Sequence, residues 1–214
     1  VPMSKRFLLI LVGIVVLLGG VFWVTRNKAS APAAGSAQPT NHIRYTGNSG
    51  VVLLEYGDFQ CPACGAYDPV IKQLETNYSD KITFQFRNFP LSQIHQNAFA
   101  AHRAAEAAAK QGKFFEMHDK LYESQQSWTT APNPNIFFED YATQLNLNLD
   151  QFRKDSASSE VNDIINADIK AGQAIGANST PTFVLDGKKI DQNPQDYASF
   201  AKLLDNAIKA KTGQ

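Results

Sequence analysis

The chain has 214 residues, of which 20 are basic and 20 acidic, so its formal net charge is near zero. That balance gives no reason to expect a nucleic acid or another polyanion as partner. From about Val51 onward there is enough chain for one domain with a real core, and no internal repeat is visible.

The first segment is the most hydrophobic. Phe7 to Val24 is an apolar run without a charge, preceded by Lys5 and Arg6 and long enough to cross a bilayer as a helix. A cleaved export signal has a shorter apolar core with a small-residue site close behind it. Here Arg26 and Lys28 intervene before Ala29-Ser30-Ala31, which favours an uncleaved signal anchor. The positive charges on the two sides tie, and the very short N-terminal flank, residues 1–6, favours leaving the large domain outside the membrane. The chain begins with Val1, and Met3 is an alternative start. Residues 25–50 are rich in Ala, Pro, Ser, Gly and Asn and read as a flexible tether, although Ile43 to Tyr45 suits a short edge strand equally well.

Val51 to Leu54 is a continuous apolar run of strand length, as expected of a central strand covered on both faces. Pro62 to Tyr78 follows as a helix with proline in its first turn, and Ile82 to Phe86 alternates as a second strand. Strand patterns then vanish over about 92–177. Ala98 to Lys110 consists of strong helix formers that stop at Gly112. Phe114, Met117, Leu121 and Tyr122 suit the buried stripe of the next helix, and Ile136, Phe137, Tyr141 and Leu145 that of a third. A longer helix, with Val161, Ile164, Ile165 and Ile169 inward, runs from Ser158 or Ser159 to Gly176. Thr182 to Leu185 returns to strand, Asp186-Gly187 signals a hairpin, Lys188 to Asp191 is its partner, and Tyr197, Phe200, Leu204 and Ile208 mark a final helix.

The two cysteines of the chain stand in Cys61-Pro62-Ala63-Cys64, where the first strand gives way to the first helix. Unpaired backbone N–H groups and the positive end of the helix dipole at such a turn stabilise a thiolate, so Cys61 is expected to be reactive and Cys64 to resolve it. Zinc would need a second ligand pair, and His42, His95, His102 and His118 are not spaced as one. A purely structural disulfide across so small a loop adds little closure entropy. Glu55 lies in an otherwise apolar run, where burial would raise its pKa; a solvated strand-end charge is the other reading. Pro181 sits at a strand entrance, where a trans proline is the ordinary case and a cis one is tolerated. Phe59, Pro62 and Pro181 are expected to form an apolar lip around the sulfurs, while His95, His102 and His118 read as surface or capping residues.

The order β-α-β, helical block, β-β-α is that of a thioredoxin fold interrupted by a helical insertion. With Glu55 to Cys64, Arg87-Asn88-Phe89-Pro90-Leu91 and Thr180-Pro181-Thr182, the chain resembles the DsbA-like thiol–disulfide oxidoreductases of bacterial envelopes over nearly all of Val51 to Lys211. The resemblance implies that Thr180-Pro181 is a cis-proline loop facing the CxxC, its backbone pairing with substrate and the Thr180 hydroxyl tuning the potential. It also implies that Glu55 exchanges a proton with Cys64. Exported cysteine-containing proteins would be the substrates, and a quinone-linked membrane protein of the DsbB or VKOR type would reoxidise the pair. The chemistry needs no metal and no cofactor, and a monomer is expected. Ala63 departs from the strongest oxidants of the family, which carry histidine there, so a reductase remains a rival. An isomerase is disfavoured by the lack of a dimerisation helix with heptads, and a redox-inert peptide-binding or chaperone module is the alternative of another class.

Overall fold

The computed structural model describes residues 37–213. The proposed membrane segment and residues 25–36 of the tether lie outside the described residues. Among those described, no helix is long and apolar enough to cross a membrane.

The first described element is a strand, β1 (His42–Tyr45), so of the two readings of Ile43 to Tyr45 the structure takes the edge strand. It pairs antiparallel with β3 (Ile82–Asn88) at the edge of the sheet. Partners distant in sequence decide this. Arg44 donates to Glu75 at 2.6 Å and to both carboxylate oxygens of Asp119 at 2.8 Å, and the Thr40 N–H and hydroxyl both bind Asp168 at 2.6 Å.

The central strand β2 (Val51–Gly57) lies parallel to β3 and antiparallel to β4 (Thr182–Leu185), giving the order β1-β3-β2-β4-β5 with β5 (Lys188–Lys189) at the far edge. Successive side chains of a strand point to opposite faces. Val51 and Leu53 accordingly pack with Ile71 and Leu74 of α1 (Pro62–Tyr78) and with Phe200 and Leu204 of α8 (Tyr197–Thr212). Leu54 and Tyr56 pack on the other face with Phe89, Ala177 and Val184. Glu55 has the parity of Leu53, which aims it toward α1. The hairpin turn has Asp186 and Gly187 both at positive φ, 47° and 81°, the signature of a type I′ connection. β5 is two residues long, shorter than the partner expected through Asp191.

Between β3 and β4 lie α2 (Ala98–Ala109), α3 (Phe114–Glu123), α4 (Gln125–Trp128), α5 (Asn135–Gln144), α6 (Leu149–Ser156) and α7 (Ser159–Ala174). The alanines of α2 let its neighbours approach closely, and Ala101, Ala104, Ala105 and Ala108 are buried against Met117, Leu121, Phe138 and Phe152. Two details differ from expectation. In α5 Phe138 is buried and Ile136 is 67% exposed, because the helix turns Phe138, Tyr141 and Ala142 inward. The helix α6 has no apolar stripe to announce it, burying only Phe152 and Asp155; Asn148 caps it by accepting from the Gln151 N–H. The N-cap of α7 is Ser158, whose hydroxyl accepts from the Val161 N–H, and Val161 and Ile165 face inward while Ile164 and Ile169 are half-buried.

Candidate active site

The strand β2 ends at Gly57, and the loop Asp58-Phe59-Gln60 turns the chain into α1. Cys61 is the N-cap of α1, in extended conformation, and Pro62 occupies the first turn, where its missing N–H costs nothing. The loop is held from several sides. Asp58, fully buried, accepts from the Gln60 and Leu91 N–H groups at 2.8 Å and contacts His95 Nδ1 at 2.7 Å. From the helical block, the Gln125 amide donates to the carbonyls of Phe59 (2.8 Å) and Cys61 (2.9 Å). Gln60 links to the Thr129 carbonyl and the Asn97 N–H, and Asn97 in turn donates to the carbonyls of Trp128, Thr129 and Ala131.

Both cysteines are free thiols, Cys61 7% and Cys64 1% exposed. The Thr180–Pro181 peptide bond is cis, and it brings the Thr180 carbonyl oxygen to 3.4 Å from Cys61 Sγ. The Thr180 hydroxyl is buried beside it without a partner in this reduced state, positioned to donate to a thiolate. Asn193 Nδ2 donates to the Pro181 carbonyl at 2.7 Å and fixes the loop. Cys64 Sγ accepts from the Asp58 N–H at 3.5 Å.

This geometry splits the two thiols. The Cys64 thiol donates to Cys61 and is the largest influence lowering the Cys61 pKa; Thr180 and the N–H groups of Cys64 and Ala63 add to it, and together they overcome partial burial to bring the group down to about 5. Burial raises Cys64 well above the ordinary thiol range, reinforced by the hydrogen bond it gives to Cys61 and by the nearby Glu55 carboxylate. Glu55 is 3% exposed, flanked in the sheet by Phe86 and Phe183, and is therefore not a solvated strand-end charge. Burial, with Asp68 and Cys61 as nearby negative charges, raises its pKa to about 8.

Cys61, Cys64, Glu55, Thr180 and Pro181 thus converge, and Pro62 stands exposed beside Cys61. Phe59 does not join a lip. It is fully buried, its ring centroid 4.5 Å from His102, 5.2 Å from Tyr122 and 5.3 Å from Phe86, and so forms part of the floor. A phenyl ring gains more from packing inside the aromatic cluster than from standing at the rim.

The histidines also depart from expectation. His102 is fully buried, its Nδ1 2.7 Å from Asn88 Oδ1 and its Nε2 facing the Phe59 N–H at 3.5 Å; burial lowers its pKa to about 3 and keeps it neutral. His118 is 3% exposed under the rings of Phe59 and Phe86. Each sits on an amphipathic helix at a position whose inward phase carried a signal that the residue type masked. Asp58, Gln125 and Asp68 had no comparable signal. Asp68, His118 and Asp119 bring one ligand atom each within 4.8 Å, but Lys72 binds Asp68 at 3.0 Å and Arg44 binds Asp119, so cations of the chain already match the carboxylates.

With the reactive pair, the facing cis proline and the helical block in place, comparison with known proteins is decisive. A model of the thioredoxin family matches residues 38–206. The chain belongs to the thioredoxin family. Its fold is that of the DsbA-like thiol–disulfide oxidoreductases, as the sequence motifs led us to expect. BdbD from Bacillus subtilis, in its oxidised form, superposes with a TM-score of 0.69 at 22% identity, covering 82% of this chain and 98% of its own. Wolbachia pipientis alpha-DsbA1 gives 0.68 at 19% identity, covering 82% and 95%. A thioredoxin-like oxidoreductase from Silicibacter pomeroyi gives 0.66 at 22% identity, covering 80% and 94%. Curated relatives include the Na(+)/H(+) antiporter NhaA 1 of Mycobacterium sp. (strain KMS), 36% identical over 169 residues, which are 77% of this chain and 26% of that protein. NhaA 3 of Salinispora tropica is 36% identical over 149 residues, 70% of this chain and 22% of that protein. The family member described here therefore matches about a quarter of these relatives' length.

Proposed function

We propose that this DsbA-like enzyme introduces disulfide bonds into exported proteins on the outer side of a membrane to which Phe7 to Val24 tethers it. The observation that carries the reading is the asymmetry of the pair. Cys61 is a stable thiolate with a pKa of about 5, while Cys64 is buried with its pKa raised. A thiolate favoured in the folded reduced state makes the reduced enzyme stable and the disulfide form a strong oxidant.

In the forward reaction a substrate thiolate attacks Cys61 Sγ, the Cys61–Cys64 bond breaks, and its electron pair leaves on Cys64. Glu55, whose pKa is raised chiefly by burial, supplies the proton that the departing Cys64 requires. A second substrate thiolate then attacks the substrate sulfur of the mixed disulfide and expels Cys61 as a thiolate. The substrate is oxidised by two electrons and the enzyme reduced by two, which pass to a quinone-linked membrane partner of the DsbB or VKOR type. The Thr180–Pro181 backbone holds the substrate segment while this happens. Attachment to a membrane has support from the relatives, in which the matched stretch is part of chains named as antiporters.

Reduction of disulfides is the second reading, favoured by Ala63, which cannot lend a positive charge to the Cys61 thiolate as a histidine could. The reduction potential, measured in glutathione buffers by thiol trapping, separates the two. A value near the roughly −120 mV of a strong envelope oxidant supports disulfide formation, and one near the roughly −270 mV of thioredoxin refutes it in favour of reduction.

A further inference from the structure

Next to Pro62 a pocket of about 460 Å³ opens between the first turn of α1 and the corner where α3 passes into α4. Pro62, Gly65 and Ala66 form one wall, and Tyr122 with the segment Glu123 to Ser127 forms the other. The Thr180–Pro181 loop takes no part in it, so the pocket is distinct from the cis-proline side of the site.

Three observations bear on what it holds. The first is continuity with the nucleophile: Pro62 follows Cys61 directly, and Gln125 in the far wall donates to the Cys61 carbonyl at 2.9 Å. An extended polypeptide advances roughly 3.3 Å per residue, so a chain joined to Cys61 Sγ reaches this pocket within two or three residues. The second is rigidity. A Cβ at Gly65 would lie 2.7 Å from Gln125 Oε1, so glycine is what lets the two walls approach, and the Trp128 indole, fully buried, anchors α4 by donating to the Leu121 carbonyl at 2.9 Å.

The third is chemistry. Gln126 and Ser127 are exposed and their side chains have no hydrogen-bond partner, while the Glu123 carboxylate is shared only with Lys72, at 3.1 Å. Together they present an amide and a hydroxyl, each able to donate and to accept, and one negative charge to whatever enters. We propose that this pocket is a second substrate subsite, which takes an amide or amine side chain two or three residues from the substrate cysteine bound to Cys61. The proposal rests on the oxidoreductase reading and specifies which substrates that enzyme prefers.

The test uses the full chain in its oxidised form and a set of single-cysteine peptides in which each position within three residues of the cysteine carries Gln, Lys, Leu or Glu in turn. The rate of mixed-disulfide formation is read by quenching and mass spectrometry. At one flanking position Gln and Lys should react about fivefold faster than Leu, the discrimination that one hydrogen bond provides. Gln126→Ala combined with Ser127→Ala should reduce that ratio toward one, and Ser127→Lys should make the Glu peptide react faster than the Lys peptide at that position, a gain that unfolding cannot produce. Equal rates for all peptides in the unsubstituted protein, or discrimination that survives both variants unchanged, would overturn the subsite. Reduction by dithiothreitol, run in parallel, tests the Cys61–Cys64 chemistry itself, so slow reaction there counts against the oxidoreductase reading and not against the pocket alone.

Discussion

Replacing Glu55 with glutamine tests whether the acid beneath Cys64 is held in its protonated form. In the fold its pKa is about 8, against an ordinary 4.5, with burial the main cause. Between those values the native protein holds a proton that the unfolded chain has released, so stability falls as pH rises through this window and is restored as pH drops below it. Taking one pKa unit as about 1.4 kcal/mol, the penalty is roughly 3 kcal/mol at pH 7 and roughly 5 kcal/mol at pH 9. Glutamine has the shape of the neutral acid and does not ionise. The reduced Glu55→Gln protein should therefore match the unsubstituted protein in urea unfolding near pH 4 and exceed it by those amounts at pH 7 and pH 9. Because the Cys61 thiolate is one of the charges raising Glu55, the gain at pH 9 should be smaller when both proteins carry the Cys61–Cys64 disulfide. A stability difference that is the same at every pH would refute the reasoning, since it would mean that Glu55 ionises as an exposed carboxylate does.

Two further outcomes follow from the same geometry. Alkylation of the reduced protein by iodoacetamide should modify Cys61 with a rate that is half-maximal near pH 5 and leave Cys64 untouched at neutral pH; a midpoint in the range of an ordinary thiol would contradict the stabilised thiolate. Gly57→Ala would place a Cβ 2.4 Å from the Phe86 ring and 3.1 Å from Glu55 Oε1, and should cost about 1–3 kcal/mol by overpacking. Unchanged thermal unfolding of that variant would show that the floor beneath the site is looser than its contacts indicate.

Much of this protein is legible along the chain, because local chemistry carries it. The apolar run at Val51 to Leu54, the proline after Cys61 and the Asp186-Gly187 turn each act through their immediate neighbours, and each element stands where those residues place it. The reactive pair is legible for the same reason: two cysteines at the start of a helix share one turn of backbone, and the N–H groups of Ala63 and Cys64 in that turn act on Cys61.

What tertiary structure decided are the features that depend on residues far apart in sequence. Nothing around Arg44 distinguishes strand from tether until Glu75 and Asp119 meet it. Phe59 reads equally as rim or floor until His102 and Phe86 close around it, and a histidine on a helix reads as solvated until the fold buries it and leaves it neutral. The same holds for the chemistry of the site. The hydrogen bond from Gln125 and the facing Thr180 carbonyl reach Cys61 across 64 and 119 residues, and Glu55 becomes an acid near pH 8 only because strands on both sides exclude water from it. Pattern along a chain encodes which groups are apolar, charged or nucleophilic; the desolvation and the neighbours that set their reactivity exist only once distant segments have packed together.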